Sequence, residues 1–310
     1  MIEVKLLSFD SMGVRSMCTL IETRNARIII DPGAALGPRR YGLKPHPVEQ
    51  EHLRVHKRMI EEEAKESDLI IITHYHYDHF PRPREELEWL RGKRLLIKDP
   101  ENMINFSQKM RAKLFLEKLR KVDARPEVAD SREIRIRGCR IKFSHPVEHG
   151  NDSRLGYVLE VMVGEAGEKV VHSSDVEGFV SEDQTKFILK NRPDVLICDG
   201  PMTYMLGTKF SENDLEKSLK NLKKIIAERF LEDLVIDHHL LRDLGWREHV
   251  KSLFDLGEDR GVRICNAAAY MGLRENLLEA RRRELYERFG ENIPEDKGEV
   301  FEERSLSSRR

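Results

Sequence analysis

The chain of 310 residues is nearly without glutamine, which occurs only at Gln50, Gln108 and Gln184, although charged residues make up 35% of it. This balance resembles heat-adapted proteins, whose surfaces carry ion-pair networks and few thermolabile amides. Net charge is also lacking: 54 Lys and Arg stand against 55 Asp and Glu, a formal charge of -1. No global field therefore draws the chain to nucleic acid or to an anionic membrane, although a local patch would not register in this sum. No apolar run approaches the ~18 to 20 residues that a spanning helix needs, so no membrane partner is expected. The opening MIEVKLLSFD has charges among its first five residues and no extended apolar stretch, which argues against a secretory signal. Cys18, Cys139, Cys198 and Cys265 form no Cys-x-x-Cys pair. They read as reduced thiols in or beside strands, so a structural zinc knuckle is disfavoured and a cytoplasmic location is expected.

What is present is concentrated in one stretch, Leu69-Ile70-Ile71-Ile72-Thr73-His74-Tyr75-His76-Tyr77-Asp78-His79. Its first four residues are short, apolar and β-branched, and Pro81 and Pro83 follow, which reads as a buried strand. Side chains two apart in extended backbone share a side, so His74, His76 and Asp78 can converge, while a turn must bring His79 around. Four adjacent ligands wrap poorly around a single ion. Divided between two ions roughly 3.5 to 4 Å apart, they form the arrangement of binuclear hydrolases. Imidazole and carboxylate suit Zn, Fe or Mn, and donor softness alone does not choose among them; two divalent ions are expected, zinc before iron or manganese.

Thr73 to His79 contains the pattern His-x-His-x-Asp-His, and Cys18 to Gly33 reads CTLIETRNARIIIDPG, a strand pair ending in Asp-Pro-Gly. On these residues the chain resembles the metallo-β-lactamase superfamily from about Met1 to Met271, and within it an archaeal branch with no assigned substrate. The resemblance implies a four-layer αββα sandwich of α/β class, with two mixed sheets flanked by helices. It also implies a metal frame: His74, His76 and His149 on one ion, Asp78, His79 and His238 on the other, and Asp175 bridging both. His149 is preferred to His145 because Gly150 and a strand follow it, which leaves His145 a substrate or outer role. Asp175 fits the bridging carboxylate, although Ser174 stands where relatives usually have glycine. His238 is preferred to its neighbour His239, which is then free to move protons, as Asp78 also is. Asp31 is expected to orient a ligand histidine or to cap its own turn.

Elsewhere the chain supplies a frame and some candidates. A metallo-β-lactamase-like domain is expected over 1-273, with an insertion at about 34-66 near the site, followed by a charged C-terminal helix and irregular tail over 274-310. Within the insertion, Arg39, Arg40, Tyr41 and His46 suit an anionic substrate group, whereas His52 and His56 read as solvated histidines on one helix face. Helices are expected over Arg84 to Leu90, Asn105 to Val122, Phe179 to Asn191, Ser211 to Phe230 with capping-box spacing, and Trp246 to Leu256. Strands are expected over Glu133 to Ser144, interrupted at Gly138, and over Leu155 to Val163. Asp199, Thr203 and Tyr204 follow another strand and are pocket candidates, and Arg242 and Asp243 are candidate outer partners. The function expected is hydrolysis of a small-molecule ester, lactone or phosphoester by a metal-bound hydroxide in a binuclear site. A nuclease acting on RNA or DNA is the first rival, then an iron oxidoreductase or a non-catalytic metal-binding protein. The sequence does not fix an oligomeric state.

Overall fold

The computed structural model describes residues 2-293. The first sheet contains β1 (Glu3–Phe9), β2 (Met17–Glu22), β3 (Arg27–Ile30), β4 (Leu69–Ile72), β5 (Arg94–Ile97) and β6 (Arg125–Val128), in that spatial order. Its first three strands form an antiparallel meander, and β3 to β6 run parallel. Then come β7 (Glu133–Ile136), β8 (Cys139–Phe143), the short β9 (Val147–Glu148) and β10 (Tyr157–Val158), β11 (Val161–Glu165), β12 (Glu168–His172), β13 (Val195–Cys198), β14 (Asp233–Ile236) and β15 (Arg263–Cys265). Seven of these make the second sheet, ordered β15-β14-β13-β12-β11-β8-β7, with β12 to β15 parallel. The strands β9 and β10 pair with each other.

The helices are α1 (Pro47–Glu66), α2 (Phe106–Lys121), α3 (Asp183–Asn191), α4 (Glu212–Ala227), α5 (Trp246–Arg260), α6 (Ala267–Tyr270) and α7 (Arg282–Phe289). Strand alternation explains the layering. Leu69 and Ile71 of β4 join the apolar layer between the sheets, whereas Ile70 and Ile72 join Ile60 and Ala64 of α1 and Ala112, Phe115 and Leu119 of α2. On the other side Val235 of β14 faces inward, and Leu234 and Ile236 pack with Phe187, Leu222, Ile225, Val250 and Leu253 of α3, α4 and α5. Strands covered on both faces must be apolar throughout, which is why LIII and LVI lack alternation. Each such buried side chain contributes about 1.5–3 kcal/mol relative to exposure. The chain is thus a mixed α/β protein with two packed sheets between helices, the four-layer sandwich.

Some elements differ from expectation. Arg84 to Leu90 is not a helix; only Glu88–Leu90 makes a 3-10 turn, closed by Leu90 N–H to the Leu87 carbonyl at 2.9 Å. The run is too short to nucleate an α-helix, and Trp89 and Leu90 are buried within that one turn. The expected strand Leu155 to Val163 is broken, because the segment changes partners: Tyr157 and Val158 pair with β9, Leu159 N–H donates to Thr73 O, and only from Val161 does the chain join β8 and β12. His52 and His56 are buried with rings stacked 6.1 Å apart, not solvated. The helix α1 lies under the C-terminal segment, where Leu278 and Leu285 cover Val48. His46 is no substrate contact either: it caps α1, accepting from Val48 N–H at 3.2 Å, in a reciprocal box with Glu49. Ser211 and Asp214 form the expected box at the start of α4. Of the C-terminal region, α7 begins at Arg282, and the expected tail lies outside the described residues beyond 293.

Candidate metal centre

The parallel strands of both sheets end at one place. Asp31 follows β3, Thr73 to His79 follow β4, Asp175 follows β12, and Asp237 to His239 follow β14. Asp31 (φ 50°), Ser174 (φ 62°) and His238 (φ 47°) leave their strands in the left-handed region. Such conformations cost on the order of 1–3 kcal/mol at non-glycine residues and persist only where surroundings enforce them. Here they turn side chains back across the sheet ends. Gly33 allows the closest approach: a Cβ there would lie 2.2 Å from Phe80 N and 2.5 Å from His79 C, so Asp-Pro-Gly can rest against the motif's turn only without a side chain.

Four overlapping groups of donors result, and two of them take in every candidate ligand. In the first, His149 Nε2 lies 3.0 Å from His76 Nδ1 and 2.9 Å from Asp175 Oδ2, and His74 Nε2 is 3.9 Å from the same carboxylate oxygen. In the second, His238 Nε2 stands 3.7 Å from Asp78 Oδ2 and 3.8 Å from Asp175 Oδ2, and His79 Nε2 is 3.5 Å from Asp175 Oδ2. Bonds of about 2.0–2.1 Å place donors to one tetrahedral ion roughly 3 to 3.5 Å apart, which is near the spacing seen. Asp175 reaches both groups. His74 Nε2, His79 Nε2 and Asp175 Oδ1 are buried without a hydrogen-bond partner. Buried polar atoms are seldom left unpaired, and these face a common space, so the donor set fits metal ions.

Outer residues fix the rings. Asp31 accepts from Thr73 N–H at 2.8 Å and from its hydroxyl at 2.6 Å, and lies 2.8 Å from His79 Nδ1, so the expected orienting carboxylate is in place. Asp10 does the same for His238, at 2.7 Å from Nδ1, and is itself held by Arg242 Nε at 2.8 Å. His74 Nδ1 lies 3.2 Å from the Thr73 hydroxyl and 3.4 Å from that of Ser174. The serine that replaces the usual glycine thereby supplies a polar contact. Carboxylates on the far nitrogens select the tautomer and raise ligand basicity.

The electrostatics suit this chemistry. Burial, reinforced by His79, His76 and His149, holds His74 well below its ordinary value, and burial with His149 brings His76 down to about 3. Both are neutral imidazoles, the ligand form. Burial alone would raise Asp175 and Asp78, but neighbouring histidines, and for Asp78 also Arg242, hold both carboxyls below their usual range. Burial opposes a charge on His79, yet Asp175 and Asp31 raise it well above its ordinary value. Without a metal, that proton balances the carboxylates, the balance a bound cation replaces.

All seven candidate ligands, His74, His76, Asp78, His79, His149, Asp175 and His238, fall in these two groups. His239 comes to the same edge and makes a further donor group with Asp175 and His238, its Nδ1 3.2 Å from Asp175 Oδ1 and 3.3 Å from Asp199 Oδ2. Tyr204 lies beside it, ring centroids 6.5 Å apart. His145 is exposed and belongs to neither group. Asp243 is not an outer partner: it accepts from Gly245 N–H at 2.9 Å and pairs with His249 at 3.3 Å at the start of α5. Asp10 and Glu177 carry no motif. Asp10 does follow an apolar strand just as Asp31 does, a signal available in the sequence, whereas Glu177, 3.7 Å from His149 Nδ1, is placed only by a left-handed turn at φ 53°.

This fold and donor set define a class. The chain belongs to the β-lactamase superfamily, whose Beta-lactamase superfamily domain profile matches residues 26–231. Within it, the chain is similar to the UPF0282 proteins of archaea: 47% identical over 296 residues to that of Korarchaeum cryptofilum, covering 96% of this chain and 97% of that protein. It is 44% identical over 286 residues to the UPF0282 protein of Metallosphaera sedula, covering 92% of each. Among solved structures, the metallo-β-lactamase fold protein YhfI of Bacillus subtilis superposes with a TM-score of 0.53 at 12% identity, over 86% of this chain and 96% of that one. At that identity the likeness is one of fold.

Proposed function

We propose that this chain is a hydrolase of small molecules that works with two divalent cations, zinc foremost. The observation that carries the reading is the meeting of two His/Asp groups at Asp175, with buried, unpaired donor atoms facing one another. His74, His76 and His149 would hold one cation, Asp78, His79 and His238 the other, and Asp175 both. Cations held there supply Lewis acidity, which lowers the pKa of water and polarises the bond to be cleaved. The chain's own residues do the rest. Asp31 and Asp10 hold the His79 and His238 rings at fixed angles, so little reorganisation is needed during reaction. His239 is kept neutral chiefly by burial, the form that accepts a proton, and carries a nitrogen within 3.3 Å of Asp199; it is our candidate for taking a proton from the attacking water and relaying it to the leaving group, with the ionised Asp78 as the alternative.

Elemental analysis of protein purified without added metal or chelator tests this reading. About two equivalents of divalent metal in the wild type, and a clear loss from Asp175→Asn with folding retained, are the expected result. A folded wild type that holds no metal even after incubation with zinc, iron or manganese would sink it.

A further inference from the structure

Many of the described arginines make ion pairs, but Arg40, Arg82 and Arg111, in or beside the segments around the donors, make none. Arg40 reaches out of the 34-46 loop; its guanidinium lies 4.8 Å from the centroid of the Tyr204 ring and donates to the Arg242 carbonyl at 2.9 Å. Its Nε is buried without a hydrogen-bond partner, and among the described residues it makes no ion pair. Tyr204 in turn lies next to His239, and the Arg242 guanidinium is 3.6 Å from Asp78. On the other side of the donors, Tyr77 sits inside the ligand motif between His76 and Asp78, and two more arginines rest against its ring, Arg82 at 5.0 Å and Arg111 at 4.9 Å from the centroid. Arg111 donates to the Tyr75 carbonyl at 3.2 Å, which fixes it to the motif's own backbone. Arg82 Nε is likewise buried and unpartnered. Neither arginine pairs with a carboxylate among the described residues.

A guanidinium laid on an aromatic ring is held in orientation while its edge stays free, and that edge matches the paired oxygens of a phosphate or carboxylate. Arg40 and Arg82 each keep a buried Nε that no group of the protein takes, a donor that an anionic ligand would satisfy. Resting on the hydrolase reading above, we propose that the substrate is an anionic ester whose phosphoryl or carboxylate group is gripped beside the scissile bond by Arg40 on Tyr204 and by Arg111 and Arg82 on Tyr77. Neutral lactones and alkyl esters are then poor substrates. The low net charge is no objection, since the patch is local.

The test uses metal-loaded full-length protein and two probes, inorganic phosphate and malonate, titrated by calorimetry, together with turnover of a phosphodiester, a carboxylate-bearing ester and a neutral ester. Wild type, Arg40→Gln, Arg111→Gln and Asp175→Asn are compared, with metal content and circular dichroism measured for each. The expected result is that each arginine variant keeps its metal, weakens binding of one anion at least tenfold, and raises KM for the matching ester tenfold or more with a smaller change in kcat. Phosphate and malonate tell which anion the grip favours. Equal anion affinity in wild type and both arginine variants, or equal turnover of the neutral ester, would overturn the proposal. If the arginine variants lose anion binding while no ester is hydrolysed despite full metal content, the anion site stands and the hydrolase reading falls. Should Arg40→Gln be poorly folded, Arg40→Lys serves instead, with the charge kept and the planar grip lost.

Discussion

Asp10 and Asp31 occupy equivalent places behind strands of the first sheet, each against the far nitrogen of one histidine of the second group. A carboxamide in either place keeps the shape but loses the charge that sets the tautomer. Asp31→Asn and Asp10→Asn are therefore expected to weaken metal affinity by about 10–100-fold while the protein stays folded, as read by competition with a chromophoric chelator. Unchanged affinity in both would mean that these carboxylates serve the fold alone. Ser174 is a finer case. Ser174→Gly relieves the left-handed backbone but removes the hydroxyl that lies 2.6 Å from Thr73 Oγ1, so stability is expected to change by less than about 1 kcal/mol while His74 becomes less well held. Thermal melts with and without zinc would separate the two effects. Within the candidate set, His74 to His79 are legible from residue type and spacing, whereas His149, Asp175 and His238 are reached only through the resemblance. Asp10 gives only the mark of an acid behind an apolar strand, and Glu177 gives none, because a single acid in a turn acquires meaning only when the second sheet is laid against the first.

At the scale of elements, the design is a fully buried strand that releases its ligands at the C-terminal end, used by β4 and β14 in different sheets. The sequence shows both strands plainly, since LIII and LVI are apolar without alternation. What it hides is where segments switch partners, as between Val158 and Val161, because hydrogen bonding to Thr73 and Ser144 leaves no mark on periodicity. Nor does it show that the start of α1, at Val48, is covered by Leu278 and Leu285, more than 200 positions later. Ile71 lies in the layer between the sheets and is wholly buried, so Ile71→Ala is expected to cost about 2–5 kcal/mol in a denaturant titration. Gly33→Ala should be worse for the centre than for overall stability, because the added methyl meets main-chain atoms of the ligand motif. Metal content falling no more than the folded fraction would argue against that.

Across the whole molecule, the C-terminal segment is tied back to the beginning of the chain by buried ion pairs. Arg15 holds Glu279 at 2.6 Å, and Arg282 makes a two-point contact with Glu49 at 2.7 and 2.8 Å. The pairs differ in consequence. Burial would raise the Glu279 carboxyl, but Arg15, aided by Arg242 and Arg282, brings it down to about 2. A depressed carboxylate contributes stability that is fully present above its ordinary value near 4.5 and is lost as pH falls toward 2, here on the order of 3 kcal/mol. Glu279→Gln should therefore flatten the loss of stability between about pH 4.5 and 2, measured by urea unfolding at several pH values. For Glu49 burial outweighs Arg282 and leaves the carboxyl raised, so it adds nothing in that window.

The joining of Asp10 to His238 also bears on how the protein is made. The first donor group is complete once Asp175 has been synthesised, but the second needs His238, and its orienting carboxylate must wait from residue 10 until then. A ribosome-bound chain halted before β14 can bring together the donors of the first group and never those of the second. Chains released before β14 therefore carry an incomplete donor set, and Asp10 in them has no ring to orient.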